Sequence, residues 1–262
     1  LLMKKIAIIG TGNLGSSIAE GLIKNKAFLP EQIIATRTQL KQIQHLQQLG
    51  VTTTTDNQLA IKEADYILLC VKHYKVKEVL TELAHLFTPD KILISVATGI
   101  SLETYQKILP QNSTIFRAMP NTAAAVEESI TCICSNTNEQ EVIEQVKTIF
   151  NPIGDTVVIN EELMNAATVI GACGIAYVLR FIRAMIQGGI EIGFDTQTAT
   201  KIVTQTVKGA AELLIENGLH PEQEIDKGTT PKGCTIAGLN EMEHQGFSSA
   251  LIKGIKTSFE KI

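Results

Sequence analysis

Gly10, Gly12 and Gly15 stand at Gly-x-Gly-x-x-Gly spacing directly behind the apolar run Ile6-Ala7-Ile8-Ile9. The chemistry suited to that spacing is pyrophosphate binding. The first glycine permits a tight turn out of a strand, the second lets backbone approach the phosphates, and the third lets the next helix pack on the sheet. With Thr11 and Leu14 between the glycines and the helix starting near Asn13, free N–H groups and the positive dipole end face the anion. A plain structural turn is the other reading. The triplet's place between a strand-like run and the helical run 14–24 favours a dinucleotide.

The end of the second strand bears on which dinucleotide. An acidic residue about 20 positions past the glycines would take a ribose 2′-hydroxyl. The run Ile33-Ile34-Ala35-Thr36-Arg37-Thr38 contains none. An arginine between two hydroxyls suits a 2′-phosphate, because the guanidinium offers a charged fork and the threonines add donors. The residues therefore point to NADP(H), with NAD(H) second; an arginine on a solvated loop is the plain alternative.

These residues need a scaffold, and the chain supplies an alternating one. Strand patterns fall at 6–9, 32–36, 51–53, 65–71, 91–96, 114–118, 130–135 and 155–159, with helical patterns at 14–26, 40–49, 75–86, 102–109 and 139–150 between most of them. Asn138 with Glu141 reads as a capping box for the last of these helices. Such alternation predicts parallel strands joined by crossover helices, an α/β fold with a Rossmann-type doubly wound sheet over residues 1–160. No strand pattern follows. Residues 161–192 form one long helical stretch, apolar on most faces. A second helix is capped by Asp195 or Thr196 and stopped by Gly218, and a Gly/Thr-rich loop at 227–235 precedes two further helical segments. Residues 161–262 thus read as an all-helical domain. A helix apolar nearly all round needs neighbours on every side, so this domain is expected to pair with a second subunit, as a homodimer or a larger homo-oligomer of dimers.

Composition narrows the class. Apolar residues are 44% and charged residues 19% of the 262, the balance of a soluble globular protein. The net charge of −4 comes with no basic block, which argues against nucleic acid. The uncharged run 163–179 contains Asn165 and Thr168 and reads as a buried helix rather than a membrane span. Leu1 and Leu2 read as a remnant or alternative start, with no signal peptide before the first strand. Five scattered cysteines and five scattered histidines give no metal-ligand spacing, and the cysteines suit a reducing cytoplasm.

Several stretches resemble the pyrroline-5-carboxylate reductase family. They are Ile8 through Gly15, Leu69-Cys70-Val71-Lys72, Ile94-Ser95-Val96-Ala97-Thr98-Gly99-Ile100-Ser101, Arg117-Ala118-Met119-Pro120-Asn121-Thr122, Gly174-Ile175-Ala176-Tyr177-Val178, and Pro231-Lys232-Gly233-Cys234-Thr235-Ile236-Ala237-Gly238-Leu239. The resemblance implies NAD(P)H-dependent reduction of 1-pyrroline-5-carboxylate to L-proline. It implies that Thr36, Arg37 and Asn57 meet the adenosine end, and that Cys70, Val71, Lys72 and Ala97 line the nicotinamide side. Met119, Pro120 and Asn121 would shape the same crevice. The amides of Gly233-Cys234-Thr235 would take the substrate carboxylate, and the Thr235 hydroxyl the ring nitrogen. Glu161 matches an acidic family position near the substrate, and otherwise is an ordinary charge at a helix start.

The chain departs from the family where Gly171-Ala172-Cys173-Gly174-Ile175 replaces Ser-Gly-Ser-Gly-Pro and where Lys232 and Cys234 replace Gly and Thr. It departs again where His73 replaces Pro and where Arg183 replaces an acidic residue. Lys232 matters if its position needs a positive backbone angle. Two other functions stay open: a divergent paralogue reducing another imine or keto compound, and a cofactor-binding regulator without catalysis. A β-hydroxyacid dehydrogenase is disfavoured, because residues 171–183 hold no lysine.

Overall fold

The computed structural model describes residues 4–262, so Leu1 and Leu2 lie outside the described residues. Strands β1 (Ile6–Ile9), β2 (Ile33–Thr36), β3 (Thr52–Thr54), β4 (Tyr66–Leu69), β5 (Ile92–Ser95), β6 (Thr114–Met119), β7 (Ser129–Ser135) and β8 (Gly154–Val158) form an eight-stranded sheet in the order β3-β2-β1-β4-β5-β6-β7-β8. The fold is doubly wound, as the alternation predicts. One pairing departs from it: β7 runs antiparallel to β6, with Arg117 opposite Cys134. The connection holds a single 3-10 turn, Thr122–Val126, and lacks the length of a crossover helix.

Helices α1 (Asn13–Lys24), α2 (Gln44–Gln48), α3 (Asn57–Glu63), α4 (His73–Leu83), α5 (Leu102–Ile108) and α6 (Gln140–Phe150) cover the two faces. On one face Ile18 and Leu22 of α1 and Ile149 and Phe150 of α6 meet Ile6, Ile8, Leu68 and Ile94. On the other, Val76 and Leu80 of α4 and Tyr105 of α5 meet Ala7, Ile9, Ile67 and Leu93. Strands β1, β2, β4 and β5 are buried at every position, which explains their unbroken apolar runs. Each fully buried Ile or Leu contributes about 1.5–3 kcal/mol.

Two local expectations need correction, and one helix has no counterpart among the sequence patterns. The helix predicted over 40–49 is a 3-10 turn, Leu40–Ile43, followed by the short α2. Helix α3 has no counterpart among the helical patterns; Asp56 caps it by accepting from the amides of Gln58 and Leu59. The Asn138–Glu141 capping box does not form. Glu139 stands at the cap position instead, with its amide bonded to Thr137 Oγ1 at 3.2 Å, so the helix starts at Gln140.

The chain separates into two compact units at the step from Cys173 to Gly174. The first unit ends with a 3-10 turn Glu161–Leu163, a helical turn α7 (Met164–Ala167) and a π-helical stretch Thr168–Cys173. The second is all helical: α8 (Gly174–Glu191), α9 (Thr196–Asn217), α10 (Pro221–Lys227), α11 (Cys234–His244) and α12 (Phe247–Phe259). Asp195 caps α9 through the amides of Gln197 and Thr198, and Gly218 ends it in the left-handed conformation. The second unit's buried core is small, a seam of Ile186, Ala199 and Val203. The stretch Glu161–Glu191 is long and apolar enough to cross a membrane, and 11% of its most apolar part is buried. The helix expected to be buried is thus largely uncovered by its own chain.

Candidate functional site

Strands β1, β2, β4, β5 and β6 are mutually parallel, so their carboxyl ends share one edge of the sheet. Gly10 leaves β1 with φ +80°, and a Cβ there would meet Val71 Cγ1 at 2.5 Å. Both the angle and the contact require glycine. A Cβ on Gly15 would lie 3.0 Å from Ile8 Cγ2, which is the close helix–strand packing asked of the third glycine. No side chain caps α1, and its first intrahelical bond runs from the Ser16 amide to Gly12 O. The amides of Asn13, Leu14 and Gly15 therefore precede the hydrogen-bonded ladder.

The end of β2 is tied to this turn. Thr36 Oγ1 accepts from the Gly10 amide at 3.2 Å and donates to Asn57 Oδ1 at 2.6 Å. Arg37 Nη1 donates to Thr11 O at 2.7 Å, and the Arg37 amide donates to Thr54 O at 3.2 Å. The guanidinium is thereby latched beside the glycine turn with one of its donors engaged. Thr38 is exposed beyond it.

At the end of β4 the Cys70 amide donates to Ile9 O at 2.8 Å. Its sulfur packs beneath Gly15, and burial pushes the thiol up to about 12. It stays protonated at neutral pH and is no nucleophile. Lys72 is exposed at the start of α4. After β5, Ser95 Oγ pairs with Tyr105 Oη at 2.6 Å and accepts from the Ala97 amide at 3.2 Å, which fixes Ala97. β6 ends at the buried Met119, and the buried Pro120 and then Asn121 follow. The Asn121 side chain accepts from the Ala123 amide at 2.9 Å and donates to Gly171 O at 3.0 Å.

Glu161 is bonded inward. Its Oε1 accepts from the Leu102 amide at 2.6 Å and from Arg117 Nη1 at 2.8 Å. Gly233, Cys234 and Thr235 belong to the second unit. Gly233 stands at the cap of α11 without a side-chain cap, and a Cβ on it would meet Thr230 Oγ1 at 2.6 Å. Cys234 and Thr235 are exposed in the first turn, and Lys232 holds φ +62°.

The family described as pyrroline-5-carboxylate reductase dimerisation matches residues 161–262, and that described as NADP oxidoreductase, coenzyme F420-dependent, matches residues 5–99. Pyrroline-5-carboxylate reductase 2 of Dictyostelium discoideum is 44% identical over 98% of this chain and 92% of its own length. The chain belongs to the pyrroline-5-carboxylate reductase family. Pyrroline-5-carboxylate reductase 1 of the same organism is also 44% identical over 98% of the chain, which spans about half (49%) of that longer protein. A crystal structure of the Plasmodium falciparum pyrroline carboxylate reductase with NADP bound superposes with a TM-score of 0.88 at 27% identity, covering 98% of this chain and 96% of that one.

Membership in this reductase family agrees with the shape of the carboxyl edge. A Cβ on Gly12 would find Arg37 Nη1 at 3.9 Å as its nearest neighbour, so the second glycine leaves open space where a pyrophosphate would approach. Sequence reasoning did not find Thr54, Ser95, Tyr105 or Arg117 as supports of this edge. Ser95 and Arg117 lie within the resembling stretches, but their partners, Tyr105 and Glu161, lie 10 and 44 residues away. No local spacing announces such pairs.

Proposed function

We propose that this chain reduces 1-pyrroline-5-carboxylate to L-proline with NADPH, the final step of proline synthesis. The observation that carries the reading is the edge at β1 and β2: a turn that requires glycine, an uncapped helix start behind it, and an arginine latched where an acid would otherwise stand. The nicotinamide, when bound, supplies the hydride. Gly10 to Gly15 and the first amides of α1 hold the pyrophosphate, while Thr36, Arg37 and Asn57 hold the adenosine end with its 2′-phosphate. Cys70, Val71, Lys72, Ala97, Met119, Pro120 and Asn121 form the nicotinamide side.

The amides that open α11, at Cys234 and Thr235, bind the substrate carboxylate, and the Thr235 hydroxyl hydrogen-bonds the ring nitrogen, donating to the neutral imine and accepting from the iminium N–H. A cyclic imine protonates near neutral pH, so the chain's task is mainly to hold the reacting carbon at close range and exclude other geometries. The second unit pairs with its counterpart in a homodimer; support comes from Val178, Leu179, Phe181, Ile190, Ile192 and Ile215, large apolar side chains that the single chain leaves exposed. A reducing cytoplasm suits its five free thiols.

The test is NADPH oxidation by the purified protein with 1-pyrroline-5-carboxylate, repeated with Thr235→Ala. Turnover in the parent that falls about 100-fold in the variant supports the reading. A protein that binds NADPH but oxidises none of it sinks the reading. Lys232 and Cys234 in the substrate loop favour a second reading, reduction of a related cyclic imine, which a substrate panel separates.

A further inference from the structure

Arg117 is a buried cation, 6% exposed, in the middle of β6. It lies on the face of the sheet that carries Ile115 and Met119, with Ser95 and Cys134 as its strand neighbours. Its Nη1 donates to Glu161, and its Nε is buried without a partner. Glu161 uses the same oxygen to hold the Leu102 amide at the first turn of α5. Ten residues past Glu161, Gly171 O accepts from Asn121 Nδ2, and Asn121 stands two residues beyond β6. Two side chains of one strand and its exit therefore tether both ends of residues 161–171.

The tethered segment is irregular. It passes from a 3-10 turn through one α turn into the π-helical stretch Thr168–Cys173. A π-helical turn is rare and is frequently found at functional sites. Here the wide turn exposes the Gly171 carbonyl to Asn121, and it packs Ala172 into the cluster that contains Met119 and Ala97. Those are the residues that our functional reading places beside the nicotinamide.

We infer that Arg117 and Glu161 form a positioning pair for hydride transfer, which with the Asn121–Gly171 tether holds the π-helical turn against the nicotinamide-side wall formed by Ala97 and Met119. This rests on the reductase reading above. Neither residue touches the reacting atoms. Glu161 acts through its grip on Arg117 and Leu102, so its charge matters only while Arg117 is charged and buried beside it.

The experiment uses the full chain in four forms: parent, Glu161→Gln, Arg117→Met, and both together. Hydrogen exchange of residues 161–173 and NADPH affinity are measured alongside kcat and KM for the imine. Glu161→Gln keeps an acceptor for Leu102 but leaves the cation unpaired. It is expected to speed exchange in 161–173 and to lower kcat about 10- to 100-fold, with NADPH affinity within about twofold of the parent. Arg117→Met should do the same. The double variant should be no worse than the worse single one, because the pair acts as a unit.

Equal exchange in all forms overturns the inference, as does a loss of melting temperature with kcat and KM unchanged. A large loss in Glu161→Gln with a mild one in Arg117→Met also overturns it, since that would make Glu161 a direct substrate contact. Should the single variants fail to fold, Asn121→Asp replaces them: it keeps the acceptor for Ala123, removes the donor to Gly171, and is expected to speed exchange in 168–173. Absence of turnover in the parent refutes the reductase reading, while the exchange comparison still decides whether the tether holds the turn.

Discussion

Gly10 and Val71 lie so close that a methyl group on the glycine would sit 2.5 Å from Cγ1 of the valine. The contact joins the turn after β1 to the end of β4, and Gly10 meets it with φ +80°. Gly10→Ala should therefore suffer twice, through the left-handed backbone and through the clash, at a cost of about 2 kcal/mol or more. A urea titration of the variant checks this. NADPH affinity should fall with it, because the displaced turn carries the amides of the phosphate site. A variant as stable as the parent and equally tight for NADPH would show that the turn has room to relax.

Arg37 tests the choice of cofactor. Its hydrogen bond to Thr11 O holds the guanidinium at the glycine turn, and no acid stands nearby on β2 to take a ribose hydroxyl. Arg37→Ser should weaken NADPH by about 10- to 100-fold, the range for losing a hydrogen-bonded charge pair, while leaving NADH nearly unchanged. Steady-state KM values for both cofactors give the answer. Equal losses for NADPH and NADH would make Arg37 a brace for the turn rather than a phosphate ligand.

Much of this edge was legible in the sequence because it is built from local signals. Apolar runs mark most of the eight strands and the β-branched run 51–53 marks β3, with ends displaced by two residues at most, and the composition at Thr36-Arg37 stands in plain view. Strand direction was not legible: the β7 pattern is the same whichever way the strand runs, and the short turn at Thr122–Val126 decides it. Helix α3 hid because it has seven residues and buries Ala60 and Ile61 alone, although Asp56 two residues before Gln58 was a usable cap signal. The π-helical stretch left no trace, since a segment apolar on most faces has no period to break. Glu161 reads in the sequence as a helix-start charge or a substrate contact, and no local signal marks its ion pair with Arg117, 44 residues away.

Burial of proton-bearing groups sets the response to alkali. Burial pushes the Cys70 thiol up to about 12 and the Tyr66 hydroxyl to about 12, the latter with help from Asp65; burial also takes Cys134 to about 11. In each case the folded state holds its proton at a pH where the unfolded chain has released it. The contribution to stability is full below about pH 9 and declines as the pH rises toward about 12. The urea midpoint should be level from neutrality to about pH 8.5 and lower by about pH 10.5. Cys70→Ala should make that decline shallower. A midpoint that stays level through the whole range would mean that these groups open to solvent without unfolding.

Lys232 combines a backbone effect with a charge effect, and two variants separate them. Its φ of +62° costs a non-glycine residue about 1–2 kcal/mol. Lys232→Gly removes that strain, offset in part by the greater freedom of glycine in the unfolded chain, so a net gain of about 0.5 kcal/mol is expected. Lys232→Gln keeps the strain and loses the charge. The side chain is exposed beside the amides that open α11, where the substrate carboxylate is proposed to bind. If its charge aids the carboxylate, both variants should raise KM for the imine about two- to fivefold, and the parent's KM should rise with salt more steeply than theirs. The melting temperature should rise in the glycine variant alone. A KM that changes in neither variant would leave Lys232 with no part in substrate capture, and a KM that changes in the glycine variant alone would trace the effect to the loop's conformation instead of its charge.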